Sequence, residues 1–210
     1  TSLNAGPLTS TTHFRVVVQN GTCPAANSTA ATITVNPPPS VSMTAVSPLC
    51  VNAAAVSLVG SPSGGTFSGV GVSGSNFNPA AAGVGSHVIT YTATVSGCSG
   101  STSQTVIVNA LPMVTLANFV AVCLNSSVFA LTGGTPSGGI YTGPGVSGGN
   151  FDPAVAGVGT KPIVSSFTNG NGCTASTTKT IVVNAFPTPM LADQPTVCTT
   201  ASQFLLTGGT

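Results

Sequence analysis

The stretch PSGGTFSGVGVSGSNFNPAAAGVG at Pro62–Gly85 returns as PSGGIYTGPGVSGGNFDPAVAGVG at Pro136–Gly159, an offset of 74 residues. The offset is 73 for the cysteine that precedes this motif and 75 for the cysteine that follows it. Single residues have therefore been inserted at two places, and both are glycine-rich turns, where surface loops tolerate changes in length. Self-similarity at a fixed period is the sequence signature of a repeat architecture.

The two ends of the chain fit the same frame. The closing motif ITVNPPP recurs as VIVNALP and IVVNAFP, and FALTGG recurs near the C-terminus as FLLTGG. We therefore divide the chain into the C-terminal part of one repeat (1–39), two complete repeats (40–112 and 113–187) and the start of a further repeat (188–210). Since the chain begins and stops in mid-repeat, we expect it to be part of a longer protein.

Apolar residues alternate with small polar residues between the turns. In HVITYTATV (His87–Val95) this places Ile89, Tyr91, Ala93 and Val95 on one face and threonines on the other, which is typical of a half-buried strand. Other residues predicted to face the core are Phe14, Val16, Val18, Ile33, Val35, Phe77, Val106, Val108, Phe151, Ile181 and Val183. No segment keeps a helical period.

Short strands with turn residues about every 8–12 positions indicate an all-β fold. We interpret it as tandem immunoglobulin-like β-sandwich repeats of about 74 residues, with roughly six or seven strands in each. Domains of this size bury little surface, so a covalent support is expected.

The cysteines supply the candidates for that support. Each complete repeat has one early and one late cysteine, separated by four predicted strands. Because an even number of strands would return the chain to the same end of the domain, we predict one disulfide per repeat, Cys50 with Cys98 and Cys123 with Cys173.

The remaining cysteines, Cys23 and Cys198, would be half-pairs whose partners lie outside this chain. The alternative is six buried free thiols in a reducing cytosol. Regular spacing in a sequence rich in serine and threonine favours an oxidising, extracellular location.

Charge is nearly absent from this sequence. Three Lys or Arg and two Asp or Glu residues give a net charge of +1, and charged residues make up 2% of the chain, against about 25% in ordinary soluble proteins. Such a chain has no electrostatic footprint for nucleic acid or an anionic membrane. Its longest apolar stretch is also too short to cross a bilayer. We predict no nucleic-acid partner and no membrane insertion.

Residues suited to catalysis are correspondingly few. Asp152 stands where the sister repeat has Asn78, which favours a turn-capping role, and His87 is replaced by Lys161 in the next repeat, which favours an exposed strand end over a metal ligand. The glycine-rich stretches lack the lysine and helix of a phosphate-binding loop. We predict no catalytic, cofactor-binding or metal site, and no enzymatic activity.

The sequence LTGGTPSGGIYTGPGVSGGNFDPAVAGVGT (Leu131–Thr160), followed by NGNGCTASTTKTIVVN (Asn169–Asn184), resembles a known repeat. It is similar to the Ig-like domains found in tandem in very large secreted surface proteins of Bacteroidota, including gliding-motility-type adhesins exported by type IX secretion. The segment Leu8–Pro38 resembles a second, related Ig-like variety in the same proteins. The resemblance implies export, display on the cell surface, and a role in adhesion or fibre building.

We therefore expect a structural and adhesive region of a long secreted cell-surface protein, forming a rigid stalk or an extracellular filament. Its proline-bearing junctions should be stiff, and its expected partners are neighbouring repeats and other copies of the same protein. One alternative is a carbohydrate- or surface-binding module that uses loops or the outward row of Thr90, Thr92 and Thr94 to contact surface glycans. The other is a spacer within a large secreted enzyme.

Overall fold

A computed structural model describes residues 4–190 of the chain. The predicted start of a further repeat therefore lies outside the described residues from position 191 onward, as does Cys198. The chain divides into two compact units, Thr1–Ala110 and Leu111–Thr210. The described part confirms an all-β fold, in which the two helices are single turns.

The first segment consists of two short antiparallel ladders. Strand β1 (Thr12–Phe14) pairs with β4 (Ala31–Ile33), and β2 (Val17–Val18) pairs with β3 (Ala26–Asn27). The prediction that Val16, Val18 and Ile33 face a core is wrong for this structure, where Val16 is 62% exposed and the other two are also exposed. Alternation alone does not bury a strand, because burial requires a second layer over it, and these exposed side chains have none.

The first complete repeat contains nine strands and one helical turn. They are β5 (Ser42–Met43), β6 (Leu49–Cys50), β7 (Val56–Ser57), β8 (Gly60–Ser61), β9 (Thr66–Ser68), β10 (Val72–Ser73), β11 (Asn76–Phe77), α1 (Pro79–Ala82), β12 (Gly85–Val95) and β13 (Cys98–Asn109). One sheet has the order β6-β13-β12-β9, a second has the order β10-β11-β7, and β5 pairs with β8. Every pairing is antiparallel except that of β6 with β13, which is parallel.

The second complete repeat has the same elements in the same order. They are β14 (Thr115–Leu116), β15 (Val122–Cys123), β16 (Phe129–Ala130), β17 (Gly134–Thr135), β18 (Ile140–Thr142), β19 (Val146–Ser147), β20 (Asn150–Phe151), α2 (Pro153–Ala156), β21 (Gly159–Thr168) and β22 (Thr174–Asn184). Its sheets run β15-β22-β21-β18 and β16-β20-β19, with β14 paired to β17. Strand β15 again runs parallel to the closing strand β22.

In each repeat, both larger sheets and the turns beside them contribute to one hydrophobic cluster. The buried members are Leu58, Phe77, Ile89, Val106 and Val108 in the first repeat, and Leu116, Leu131, Phe151, Ala156, Ile163, Ile181 and Val183 in the second. The burial predicted for Phe77, Ile89, Tyr91, Ala93, Val106, Val108, Phe151, Ile181 and Val183 is confirmed.

The prediction for Val95 is wrong, since this side chain is 43% exposed. Strand β12 pairs with β9 only over Thr90–Thr92. Val95 lies beyond that range, where the β12–β13 hairpin has lost the support of a third strand.

The NFNP and NFDP motifs each start a helical turn. The side chains of Asn78 and Asp152 accept hydrogen bonds from the backbone N–H groups that follow them, and a proline occupies the first helical position. Both features are favoured at helix N-termini. The capping role predicted for Asp152 is confirmed.

Candidate functional site

His87 lies beside the end of the helical turn α1. His87 is half-buried, and its Nε2 atom is 2.8 Å from the carbonyl oxygen of Gly83, which follows α1. Its ring centroid is 6.3 Å from that of Phe77. His87 is thus not the simple exposed strand end that was predicted. A half-buried nitrogen that needs a partner finds it in a free carbonyl at a helix terminus.

Acidic and metal-binding residues do not gather in the described part of the chain. Within residues 4–190 there is no group of three His, Cys, Asp or Glu side chains that could hold a metal ion. Asp152 is engaged with the backbone N–H groups of Ala154 and Val155, at 2.9 and 3.3 Å. This carboxylate therefore caps the helical turn α2.

A cleft of about 550 Å³ lies over the β8–β9 turn of the first repeat and is lined by Leu58, Val59, Gly60, Ser63, Gly64, Gly65, Thr66, Phe67, Gly74, Ser75 and Tyr91. The Tyr91 ring is only 2% exposed and lies 4.4 Å, between centroids, from the Phe67 ring. Its hydroxyl accepts a hydrogen bond from the Gly65 N–H and donates one to the Pro62 carbonyl. The cleft consequently presents backbone and small side chains, and the polar group of its largest aromatic residue is already occupied.

The early cysteine of each complete repeat lies at the end of the closing strand. In the parallel ladder Cys50 is in register with Asn109, the last residue of β13. The next residue, Val51, donates its N–H to the Asn109 carbonyl at 2.9 Å. In the second repeat Cys123 is in register with Asn184, and the Leu124 N–H donates to the Asn184 carbonyl at 2.9 Å.

The late cysteine lies at the opposite end of the same strand. Cys98 is the first residue of β13 and pairs with Val95 across a two-residue turn. Ser96 and Gly97 in that turn have φ values of 51° and 81°, the conformation that closes a tight hairpin with the correct twist. In the second repeat Cys173 directly precedes β22 and is 1% exposed.

This geometry contradicts the predicted pairing of Cys50 with Cys98 and of Cys123 with Cys173. At about 3.3 Å per residue, the eleven residues from Cys98 to Asn109 span roughly 36 Å, whereas a disulfide requires Cα atoms within about 7 Å. Cys98 and Cys123 carry free thiols, as does Cys23. Cys50 and Cys173 are disulfide-bonded.

Inside the first unit, the end of the partial repeat meets the late hairpin of the complete repeat. The Cys98 thiol donates a hydrogen bond to the Asn36 carbonyl at 3.3 Å, and the Asn36 side-chain amide donates to the Ser96 carbonyl at 3.3 Å. Nearby, a Cβ atom on Gly100 would lie 2.7 Å from the Pro39 carbonyl oxygen. The proline segment thus packs directly on β13, and glycine permits that close approach.

Sequence reasoning missed the closing asparagines as contact residues. Asn36, Asn109 and Asn184 occupy the same position in the three copies of the closing motif. The recurrence of one polar residue after an alternating apolar strand was the available signal. It could not indicate which groups would meet there, because both contacts are distant in sequence.

One family model matches the first part of this chain. Residues 1–37 match a domain of unknown function, DUF8696. No curated protein matches the sequence. Among solved structures, an endo-fucoidan hydrolase of glycoside hydrolase family 107 is similar at 12% identity and a TM-score of 0.26. That match covers 85% of this chain, which spans 34% of the hydrolase chain.

No helix within residues 4–190 is both long and apolar enough to cross a membrane. The matched segment 1–37 covers most of the partial repeat (1–39) and includes the contact residue Asn36. The site that the structure brings together is therefore a junction between repeats, formed by the closing asparagine of one repeat and the late hairpin of the next.

Proposed function

We propose that this chain is a structural region of a long extracellular surface protein, in which Ig-like β-sandwich repeats are joined end to end as a stiff stalk or filament. The observation that carries the proposal is the junction in the first unit, where Asn36 bonds to the Ser96–Cys98 hairpin. A connection that is hydrogen-bonded to the next repeat resists bending more than a free linker does.

The arrangement of sheets supports the Ig-like interpretation. In each complete repeat a four-stranded and a three-stranded sheet contribute to one core. The short second strand of each repeat, β6 or β15, runs parallel to the closing strand. Two antiparallel sheets around a shared core are the basis of the immunoglobulin-like sandwich.

The surface supports association with other chains of the same kind. Val88 and Ile107 are exposed on the outer face of the β12–β13 hairpin, and the chain has only five Lys, Arg, Asp and Glu residues in total. Electrostatic self-repulsion is therefore small, and apolar side chains are available for contact with another copy.

The cysteines support an extracellular location. Cys50 and Cys173 are disulfide-bonded, and disulfides persist mainly in oxidising compartments outside the cytosol. A protein exposed to proteases and to mechanical load also benefits from covalent support.

Small-angle X-ray scattering of the purified chain tests the stalk. A compact protein of 210 residues has a radius of gyration of about 17 Å, and we expect a clearly larger value together with the linear cross-section region of a rod. A radius near that of a compact protein would contradict the proposal. So would a Kratky plot that rises without a peak, because it would indicate a flexible string.

A further inference from the structure

Three asparagines of this chain are each followed by glycine, namely Asn20, Asn169 and Asn171. A following glycine leaves its backbone nitrogen open to the asparagine side chain, because glycine has no Cβ and few forbidden backbone angles. Since all three asparagines share this neighbour, the surrounding structure decides how readily each side chain meets that nitrogen.

The first of these pairs is exposed to water and is not tied to the rest of the fold. Asn20 lies in the exposed loop between β2 and β3. Its backbone carbonyl accepts the N–H of Cys23 at 3.1 Å, which closes a turn, and Gly21 in that turn has a φ value of 55°. Among residues 4–190, no group bonds to the Asn20 side chain or accepts the Gly21 N–H. A Cβ atom at Gly21 would meet nothing within 4 Å, so the space around this nitrogen is open.

The other two pairs share one loop of the second repeat, and its hydrogen bonds restrain both. The Asn169 Oδ1 atom accepts the N–H groups of Asn171 and Cys173 at 3.1 and 3.0 Å, which hold its side chain over the loop. The Gly172 N–H, which would have to attack Asn171, donates to the Asn169 carbonyl at 3.0 Å. Reaction of either asparagine with the glycine that follows it must first break these bonds.

We propose that Asn20 is a site of covalent modification, where the side-chain amide reacts with the Gly21 nitrogen and is replaced by a carboxylate. The other reactant is water, and no enzyme is required. The loop hydrogen bonds protect Asn169 and Asn171 from the same reaction.

The reaction proceeds through a cyclic imide. A base takes the proton from the Gly21 nitrogen, which attacks Cγ of Asn20 and closes a five-membered succinimide. The Cγ–Nδ2 bond breaks, and its nitrogen leaves as ammonia. Water then opens the ring, giving aspartate if the new N–Cγ bond breaks and isoaspartate if the original peptide bond breaks. One water is consumed and one ammonia is released, with no change of oxidation state.

The product changes both the charge and the backbone of the first segment. One new carboxylate takes the formal net charge of the chain from +1 to zero. Isoaspartate also adds a backbone carbon to the loop that joins β2 to β3. Because loop length sets the register of a hairpin, the pairing of Val17 with Asn27 and of Val18 with Ala26 is weakened in the isoaspartate form.

Peptide mass spectrometry of the aged chain provides the test. The purified chain is held in a mildly alkaline buffer, where the backbone N–H loses its proton more readily, and is sampled over several weeks. Samples are digested with pepsin in acid, which suppresses further reaction, and electron-transfer fragmentation distinguishes aspartate from isoaspartate. We expect a mass increase of about one dalton at Asn20. Reaction at Asn169 and Asn171 should be slower by about tenfold, the factor for breaking one or two hydrogen bonds.

The control is the same chain unfolded in guanidinium chloride, where the loop hydrogen bonds are absent and the three rates should become similar. Equal rates at the three asparagines of the folded chain would overturn the proposal, and so would faster reaction at Asn171 than at Asn20. A difference that persisted unchanged in the denaturant would also overturn it, because the sequence and not the structure would then set the rates. The result does not depend on the stalk proposal, since it reads a covalent change at single side chains while scattering reads shape.

Discussion

At the scale of single residues, the two repeats fill one layer of the core with different side chains. Phe67 and Tyr91 in the first repeat correspond to Tyr141 and Ser165 in the second. Each tyrosine hydroxyl accepts an N–H from a glycine, Gly65 for Tyr91 and Gly134 for Tyr141, both at 2.9 Å. The second repeat keeps the polar contact of the tyrosine hydroxyl, although the ring that bears it has moved from β12 to β18 and a serine stands where the first repeat has Tyr91.

Gly60 is required by this layer, and its replacement gives a first prediction. A Cβ atom at Gly60 would lie 2.4 Å from the Tyr91 ring, so Gly60→Ala forces a buried ring to shift. We expect a loss of about 1–3 kcal/mol in the free energy of unfolding of the first unit, as for other overpacked cores. Urea unfolding followed by amide hydrogen exchange in β12 measures it.

The control for this variant is Gly170→Ala. A Cβ atom there meets nothing within 4 Å, and a surface change of this kind should stay within about 0.5 kcal/mol. Equal effects of the two substitutions would contradict the packing described for Tyr91.

The sequence predicted residues of the core well where a second sheet covers the strand. Ile89 and Val106 follow from alternation, because side chains on a strand point to opposite faces in turn. Val16 and Val18 have the same alternation and are exposed. The pattern indicates which face is apolar, whereas burial depends on what lies over that face, which local sequence does not specify.

At the scale of secondary-structure elements, the closing hairpin dominates each repeat. Strand β12 pairs with β13 over its full length, from Gly85 opposite Val108 to Val95 opposite Cys98. The hairpin carries the core residues on its inner face and threonine or serine on most of its outer face. Most other strands have only two or three residues and depend on this hairpin or on the shared core.

A second prediction compares neighbouring residues of β13. Val106 is fully buried and Ile107 is 46% exposed. Val106→Ala should lower the free energy of unfolding by about 1.5–3 kcal/mol, the value of burying a valine side chain. Ile107→Ala should cost less than about 0.5 kcal/mol, although it removes more atoms. Urea unfolding of both variants measures these changes. A larger loss of unfolding free energy for Ile107→Ala than for Val106→Ala would show that Ile107, and not Val106, lies on the buried face of β13.

The cysteine pairing could not be predicted at this scale. Counting strands between Cys50 and Cys98 assumes that every strand crosses the whole domain, but β7, β8, β10 and β11 have two residues each. The position of Cys50 is set instead by the parallel pairing of β6 with β13. Such a pairing links residues about 60 positions apart and leaves no trace in a local pattern.

At the scale of the whole molecule, the near absence of charge makes the fold independent of ionic interactions. The chain has three Lys or Arg and two Asp or Glu residues. Its solvation depends on serine, threonine, asparagine and the backbone, and its stability on apolar burial and strand hydrogen bonds.

A third prediction follows from this composition. Changing NaCl from 0.05 to 1 M should alter the free energy of unfolding in urea by less than about 0.5 kcal/mol, because screening acts only on charges and individual surface pairs contribute at most about 1 kcal/mol. Urea is used because it is uncharged. A loss above about 1 kcal/mol at high salt would show that ionic contacts stabilise the fold.

The parallel pairing of β6 with β13 has a consequence for the response to force. Because Leu49 and Cys50 pair with Val108 and Asn109, the start of the repeat is hydrogen-bonded to its closing strand. Tension along the chain would load these hydrogen bonds in shear, so that they must break together rather than one after another.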